Sequence, residues 1–221
     1  MSTRKEELRS RLAAVKGEIA AAARDAGRST DEITLIVVTK TFPVEDAEIL
    51  YELGERNFGE NRDQEGSAKA PILPDDAIWH FQGQIQSKKI KSIVEWADVV
   101  HSIDDLEHAA KFNNFAPRDF FIQVSLDPAA AHRGGVPLAE VERFYQGLTP
   151  LANLRIRGLM VVPPLEVEPR SAFQKVAASA RALGLPELSM GMSGDFREAI
   201  GAGATHIRVG SSILGSRTLP A

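Results

Sequence analysis

A chain of 221 residues, 43% hydrophobic and 25% charged, has the make-up of a soluble globular protein and is long enough to bury one large core. The absence of cysteine excludes disulfides, thiolate zinc sites, iron–sulfur clusters and cysteine nucleophiles, and the net charge of −4 lacks the overall electrostatic footprint of a nucleic-acid binder. The opening Met1-Ser2-Thr3-Arg4-Lys5-Glu6 has no apolar signal core and no later run is long enough to span a bilayer, so a cytoplasmic protein without membrane partners is expected.

Leu8, Leu12, Val15 and Ile19 recur at spacings of four and three residues, which predicts an amphipathic helix over about 3–26 with Gly27 just past its end. Residues 33–40 follow as a buried strand, five of the eight being large aliphatics, and the strand stops on Lys40 shortly before Pro43. A helix over 43–53 ends at Gly54, and a short strand at 57–59 runs into Glu60-Asn61. The alternation continues with a strand at 78–81, a helix over 86–97, a strand at 98–101 and a helix capped by Asp104. Within 86–97 the Lys88-Lys89-Ile90-Lys91 cluster reads as a solvated helix face. The fifth strand is 120–124, followed by a helix over 137–148, and the sixth is 156–161, stopped by Pro163-Pro164 and followed by a helix over about 170–183. A weaker seventh strand at 187–190 leads to a short helix over 194–202, and an eighth at 206–209 enters Gly210-Ser211-Ser212.

Eight strands alternating with helices, with no composition break, predict an α/β chain that forms one domain over 1–221, a (β/α)8 TIM barrel. An open doubly wound sheet is the competing arrangement. Against it, Thr39-Lys40-Thr41-Phe42 stands after the first strand, where a dinucleotide fold carries Gly-x-Gly-x-x-Gly.

Closure of the barrel sets the eighth strand beside the first, and so brings the loop after Val209 next to Lys40. Met192-Ser193-Gly194 and Gly210-Ser211-Ser212 are small, hydroxyl-bearing loops after strands seven and eight, the place where such barrels cradle phosphate. A lysine beside a phosphate cradle suggests a ligand with both an anion and an electrophilic carbonyl, which describes pyridoxal 5′-phosphate (PLP). Arg208 shares a strand face with His206 and Gly210, so it can point into the barrel mouth towards the ring nitrogen or, equally, stand as a salt-bridged arginine at a strand end. A donor-only guanidinium there leaves that nitrogen unprotonated and weakens the ring as an electron sink. The five histidines show no paired metal-ligand spacing.

Several stretches together resemble the pyridoxal-phosphate homeostasis proteins, whose fold is like the N-terminal barrel of alanine racemase, the type III fold of PLP proteins. They are Val37-Val38-Thr39-Lys40, Phe58-Gly59-Glu60-Asn61 with Gln64-Glu65-Gly66, Trp79-His80-Phe81-Gln82-Gly83, Arg157-Gly158-Leu159-Met160, Gly191-Met192-Ser193 with Asp195, and Arg208-Val209-Gly210-Ser211. The resemblance implies that Lys40 carries PLP as a Schiff base, that Ser193, Gly210 and Ser211 hold the phosphate and that Arg208 faces the pyridine nitrogen. It further implies that Asn61 and Met160 line the pocket, with His80 a further cofactor residue or, equally, a satisfied core histidine. Thr39 and Ser211 keep hydroxyls where the family favours Ser and Thr, whereas Ser87 replaces a frequent Asn. Arg133 stands where the family often has a lysine, which puts in doubt any accessory cofactor site that uses that amine.

Two enzymatic or binding alternatives stand beside a carrier of PLP: a racemase-like PLP enzyme and a barrel for some other phosphate compound. A two-base racemase needs a second proton shuttle opposite Lys40 and a further domain or partner to exclude water. Tyr51 and Tyr145 both fall within expected helices, and the chain ends soon after Gly215, so cofactor binding and delivery is the expected role. The expected partners are PLP and PLP-dependent apoenzymes as recipients, with the protein acting as a monomer.

Overall fold

Eight parallel strands close around one axis in the computed structural model, which describes residues 3–127, 134–164 and 166–216. They are β1 (Thr34–Val38), β2 (Asn57–Glu60), β3 (Ile78–Phe81), β4 (Val99–Ile103), β5 (Arg118–Ser125), β6 (Leu154–Val161), β7 (Glu187–Met192) and β8 (His206–Val209). Each pairs in parallel with its sequence neighbours, β4 pairs with β5, and β1 pairs with β8, so the sheet has no free edge among these strands. A two-residue strip, Val136–Pro137, adds to the end of β5. The closing register sets Ile36 opposite Arg208 and Val37 opposite Val209, which carries Gly210 to the side of Val38.

Helices cover the outside: α1 (Arg4–Asp25), α2 (Val44–Glu52), α3 (Asp63–Lys69), α4 (Ile90–Trp96), α5 (Leu106–Phe112), α6 (Val141–Leu148), α7 (Pro169–Ala182), α8 (Phe196–Gly201) and α9 (Ser211–Leu214). Helix α1 starts in a capping box, with the Thr3 hydroxyl accepting from the Glu6 amide, and buries the stripe Leu8, Leu12, Val15 and Ile19. No helix among the described residues is long and apolar enough to cross a membrane.

Two cores result from the period-two alternation of the strands. Outward residues such as Val37, Phe58, Trp79, Phe81, Val100, Ile207 and Val209 join the helices in one apolar cluster. The inward set is mixed, with Ile36, Phe121 and Met160 beside His80, His101, Ser189, His206 and Arg208. His80 on β3 lies 6.3 Å, centroid to centroid, from His206 on β8, a contact between strands that are not neighbours and so runs across the barrel interior. His101 stacks on Phe121 inside the same space, where such barrels ordinarily hold branched aliphatics.

Several elements differ from the expectations. β1 ends at Val38, so Thr39 and Lys40 belong to the turn beyond it. The helices expected from 86 and 137 begin as 3-10 turns at Ser87–Lys89 and Leu138–Glu140. Asp105, not Asp104, caps α5, accepting from the His108 amide at 2.9 Å. Asp104 instead accepts from the Gly135 amide at 2.7 Å, and burial raises its carboxyl above the usual range. Arg133 lies outside the described residues. Lys88 and Lys91 are exposed as expected of a solvated face, while Lys89 reaches Asp63 at 3.2 Å.

Candidate functional site

A cavity of about 390 Å³ opens at the C-terminal ends of β1, β6, β7 and β8. Lys40, Asn61, Met160, Ser193, Arg208, Gly210 and Ser211 all line it, together with Val38, Phe42, Gln82 and Met192. His80 is not among its walls; it is 2% exposed and hydrogen-bonded within the barrel interior.

Lys40 is held by the turn that carries it. Thr41 has φ 68°, a left-handed conformation that costs a β-branched residue about 1–2 kcal/mol, and it is fixed there by its amide donating to Glu65 at 2.6 Å. The Phe42 amide closes the turn onto the Thr39 carbonyl at 3.0 Å. Below it, Glu60 accepts from the Thr39 hydroxyl and from Lys69, each at 2.6 Å, and Lys69 also donates to the Thr39 carbonyl at 2.9 Å. Glu60 and Lys69 are buried, so the backbone that bears Lys40 rests on an ion pair shielded from water. Burial holds the Glu60 carboxyl above its ordinary range, with Lys69 and Thr39 pulling it back.

The opposite wall is built from the loops after β7 and β8. The Gly210 amide reaches the Ser193 hydroxyl oxygen at 3.4 Å, tying the two loops together and leaving the Ser193 proton to donate elsewhere. A Cβ at Gly210 would sit 3.0 Å from the Val38 carbonyl, which shows how closely this loop packs on β1. The Ile213 and Leu214 amides donate to the Gly210 carbonyl at 3.0 and 2.9 Å, so within α9 it is the Ser211 and Ser212 amides that have no acceptor in their own helix, and α9 is anchored by Arg4, which donates to the Leu214 carbonyl at 3.0 Å while gripping Asp46. Asp195 folds back on the loop, accepting from the Met192 amide at 2.6 Å.

Arg208 forms the floor. It is 4% exposed, donates to Ser189 at 2.8 Å and to the Val161 carbonyl at 2.9 Å, and has no carboxylate within ion-pair distance among the described residues. Burial draws its pKa down to about 10, with Asp195 acting in the opposite sense, and the guanidinium stays charged at neutral pH.

Comparison with known proteins places these features. The family model for the alanine racemase N-terminal domain matches residues 11–218. A pyridoxal phosphate homeostasis protein of Corynebacterium glutamicum is 40% identical over 93% of this chain and 100% of its own length. The chain belongs to the pyridoxal phosphate homeostasis protein family. PipY of Synechococcus elongatus PCC7942, a structure with PLP bound, is similar at 32% identity and a TM-score of 0.82, covering 94% of this chain and 100% of that one. Alanine racemase from Corynebacterium glutamicum shares the fold at 18% identity and a TM-score of 0.68, with 95% of this chain matching 63% of that one.

Within this member of the pyridoxal phosphate homeostasis protein family, the sequence reading missed the parts that support the site. Lys69 and Ser189 carry no motif of their own, and Glu60 and Gln82 were visible only inside family stretches. Ser87 accepts from Lys111, lies 3.0 Å from His108 Nε2 and is not among the cavity walls, so its replacement of an asparagine does not touch the site. Among the described residues no group of three or more His, Cys, Asp or Glu is arranged to hold a metal ion.

Proposed function

We propose that this chain binds PLP as a Schiff base on Lys40 and serves PLP homeostasis, keeping and delivering the cofactor rather than turning over a substrate. The observation that carries the reading is Arg208, a buried cation with no carboxylate within ion-pair distance among the described residues, on the wall of a cavity shared with Lys40 and two hydroxyl-bearing loops. Such a charge is costly unless a ligand completes its surroundings. The donor set fits PLP. Lys40 would supply the amine for the aldehyde, Ser193, Ser211 and the Ser211 and Ser212 amides would hold the phosphate, and Asn61 and Met160 would flank the ring.

Arg208 would donate to the ring nitrogen and keep it unprotonated, which limits how far the bound ring can draw electrons from an attached amino acid. This favours holding over turnover. The tyrosines agree with it, since Tyr51 bonds Asp76 and stacks under Arg56, Tyr145 belongs to α6, and neither is a cavity wall. Delivery to PLP-dependent apoenzymes in the cytoplasm, by a monomer, completes the proposal. The test is an absorption spectrum of the protein with PLP, before and after borohydride: a visible band that reduction traps on Lys40 is expected, and Lys40→Ala should lose it while remaining folded. A stable adduct on another lysine would refute the assignment, and brisk racemisation of alanine by the loaded protein would favour the enzyme reading.

A further inference from the structure

A row of hydrogen-bonded side chains crosses the barrel interior from the start of β2 to the cavity floor. Asn57 Oδ1 lies 3.0 Å from His80 Nε2, His80 Nδ1 lies 2.9 Å from His101 Nε2, His101 Nδ1 lies 2.8 Å from Ser189 Oγ, and Ser189 Oγ lies 2.8 Å from Arg208 Nη1. The members come from β2, β3, β4, β7 and β8.

The end groups give the row a direction. Arg208 can only donate, so the Ser189 oxygen accepts from it, and the single Ser189 proton then goes to His101 Nδ1. His101 is thereby the Nε2–H tautomer and donates to His80 Nδ1, and His80 in turn donates from Nε2 to the Asn57 oxygen. Every proton in the row finds an acceptor. Run the other way, the row would aim two donors at Ser189 and leave the serine proton with no acceptor in it. Both rings are neutral: burial depresses His80 to about 3 and His101 well below the usual histidine value, with the neighbouring His206 and, for His101, Arg208 adding to the effect.

We propose that Asn57, His80, His101 and Ser189 are positioning residues that fix the Arg208 guanidinium for the ring nitrogen of PLP, by committing the Ser189 proton to His101 so that its oxygen can only accept. The bond from Nη2 to the Val161 carbonyl sets the second edge of the guanidinium, and the two bonds together define its plane. The assignment rests on the reading that the cavity takes PLP, but the direction of the row does not.

Two measurements test it. In the ligand-free protein, long-range proton–nitrogen NMR at neutral pH should show His80 and His101 both as neutral Nε2–H tautomers; an Nδ1–H tautomer or an imidazolium at either overturns the direction. In protein loaded with PLP, Ser189→Ala and His101→Phe should each displace the visible absorption maximum and weaken cofactor retention roughly tenfold. His101→Gln should restore both, because its amide oxygen accepts from Ser189 while its amino group donates to His80. A role in packing alone predicts the reverse order, since phenylalanine preserves the ring stacked 4.5 Å from Phe121 and glutamine does not; that order overturns the proposal. Should His101→Phe fail to fold, Ser189→Ala decides, and an unchanged spectrum and affinity there overturn it equally. If the unmodified protein takes up no PLP, the cofactor reading fails and the role with it, whereas the ligand-free spectra still report whether the row runs as drawn.

Discussion

Lys69 reaches from the end of α3 beneath the turn that carries Lys40 and meets Glu60, whose Oε1 accepts from it and whose Oε2 has no hydrogen-bond partner among the described residues. Removing one partner of a buried pair leaves an uncompensated charge, so Lys69→Met is expected to cost about 3–5 kcal/mol, and Lys69→Met combined with Glu60→Gln distinctly less. The pH dependence has a definite sign. Glu60 is held above its unfolded value by burial, so the folded state binds the extra proton and stability falls as pH rises from about 4.3 through the folded pKa. Without Lys69 that window extends upward, and urea unfolding should show a larger loss near pH 8 than near pH 5. Equal losses at both would mean that Glu60 is not the group left exposed to the change. At this scale the sequence shows Lys40 and Arg208, because a strand end and a two-residue period place a side chain without knowledge of the fold. The Glu60–Lys69 pair is invisible there, since it depends on how α3 lies against β2 and no spacing rule joins a strand end to the last residue of the next helix.

The elements were legible to different depths for a physical reason. Strand runs such as 78–81 and 206–209 carry alternation strong enough to match β3 and β8 residue for residue. Helix α3 escaped because Asp-Gln-Glu-Gly-Ser-Ala-Lys has no apolar period and a glycine at its centre; Trp96 packs over that glycine so closely that a Cβ would lie 2.3 Å from the indole. Here tertiary packing, not propensity, makes the helix. Two other glycines give a matched test. At Gly83 a Cβ would lie 1.9 Å from the Asn61 carbonyl, so Gly83→Ala should destabilise by about 1–3 kcal/mol and, by moving Asn61, loosen cofactor retention. At Gly17, inside α1 with nothing within 4 Å, Ala should stabilise by up to about 1 kcal/mol and leave the cavity unchanged. Denaturation curves and retention of PLP measured on both variants check this, and indistinguishable variants would show that the chain at Asn61 yields without cost.

For the molecule as a whole, composition implied a single large core, and the alternation implied a barrel, but neither showed that the barrel interior gathers the buried histidines and Arg208 while the larger apolar core lies between strands and helices. That division makes stability depend on acid. Burial, the largest cause for each, holds His80 near 3, His206 near 4 and His101 well below 6.5, so all are neutral in the folded protein at neutral pH. Because these folded pKa values are lowered, the unfolded chain binds the extra protons once pH drops below about 6.5, and the stabilisation present above that value is lost as pH falls toward the folded values. Each such histidine contributes a slope of about 1.4 kcal/mol per pH unit, and together they approach about 4. Glu60, Asp104 and Asp195 act in the opposite sense, since burial raises all of them and the folded state takes up their protons first, which softens the slope towards pH 5. Urea unfolding between about pH 7 and pH 5 should therefore show a falling midpoint that steepens below about 6.5. Replacing His206 by Gln should flatten it by roughly one proton's share, because His206 lies outside the row that holds Arg208 while sharing its buried space. A midpoint that stays level down to pH 5 in the unmodified protein would mean that the interior admits water and that these histidines titrate as they do in the unfolded chain.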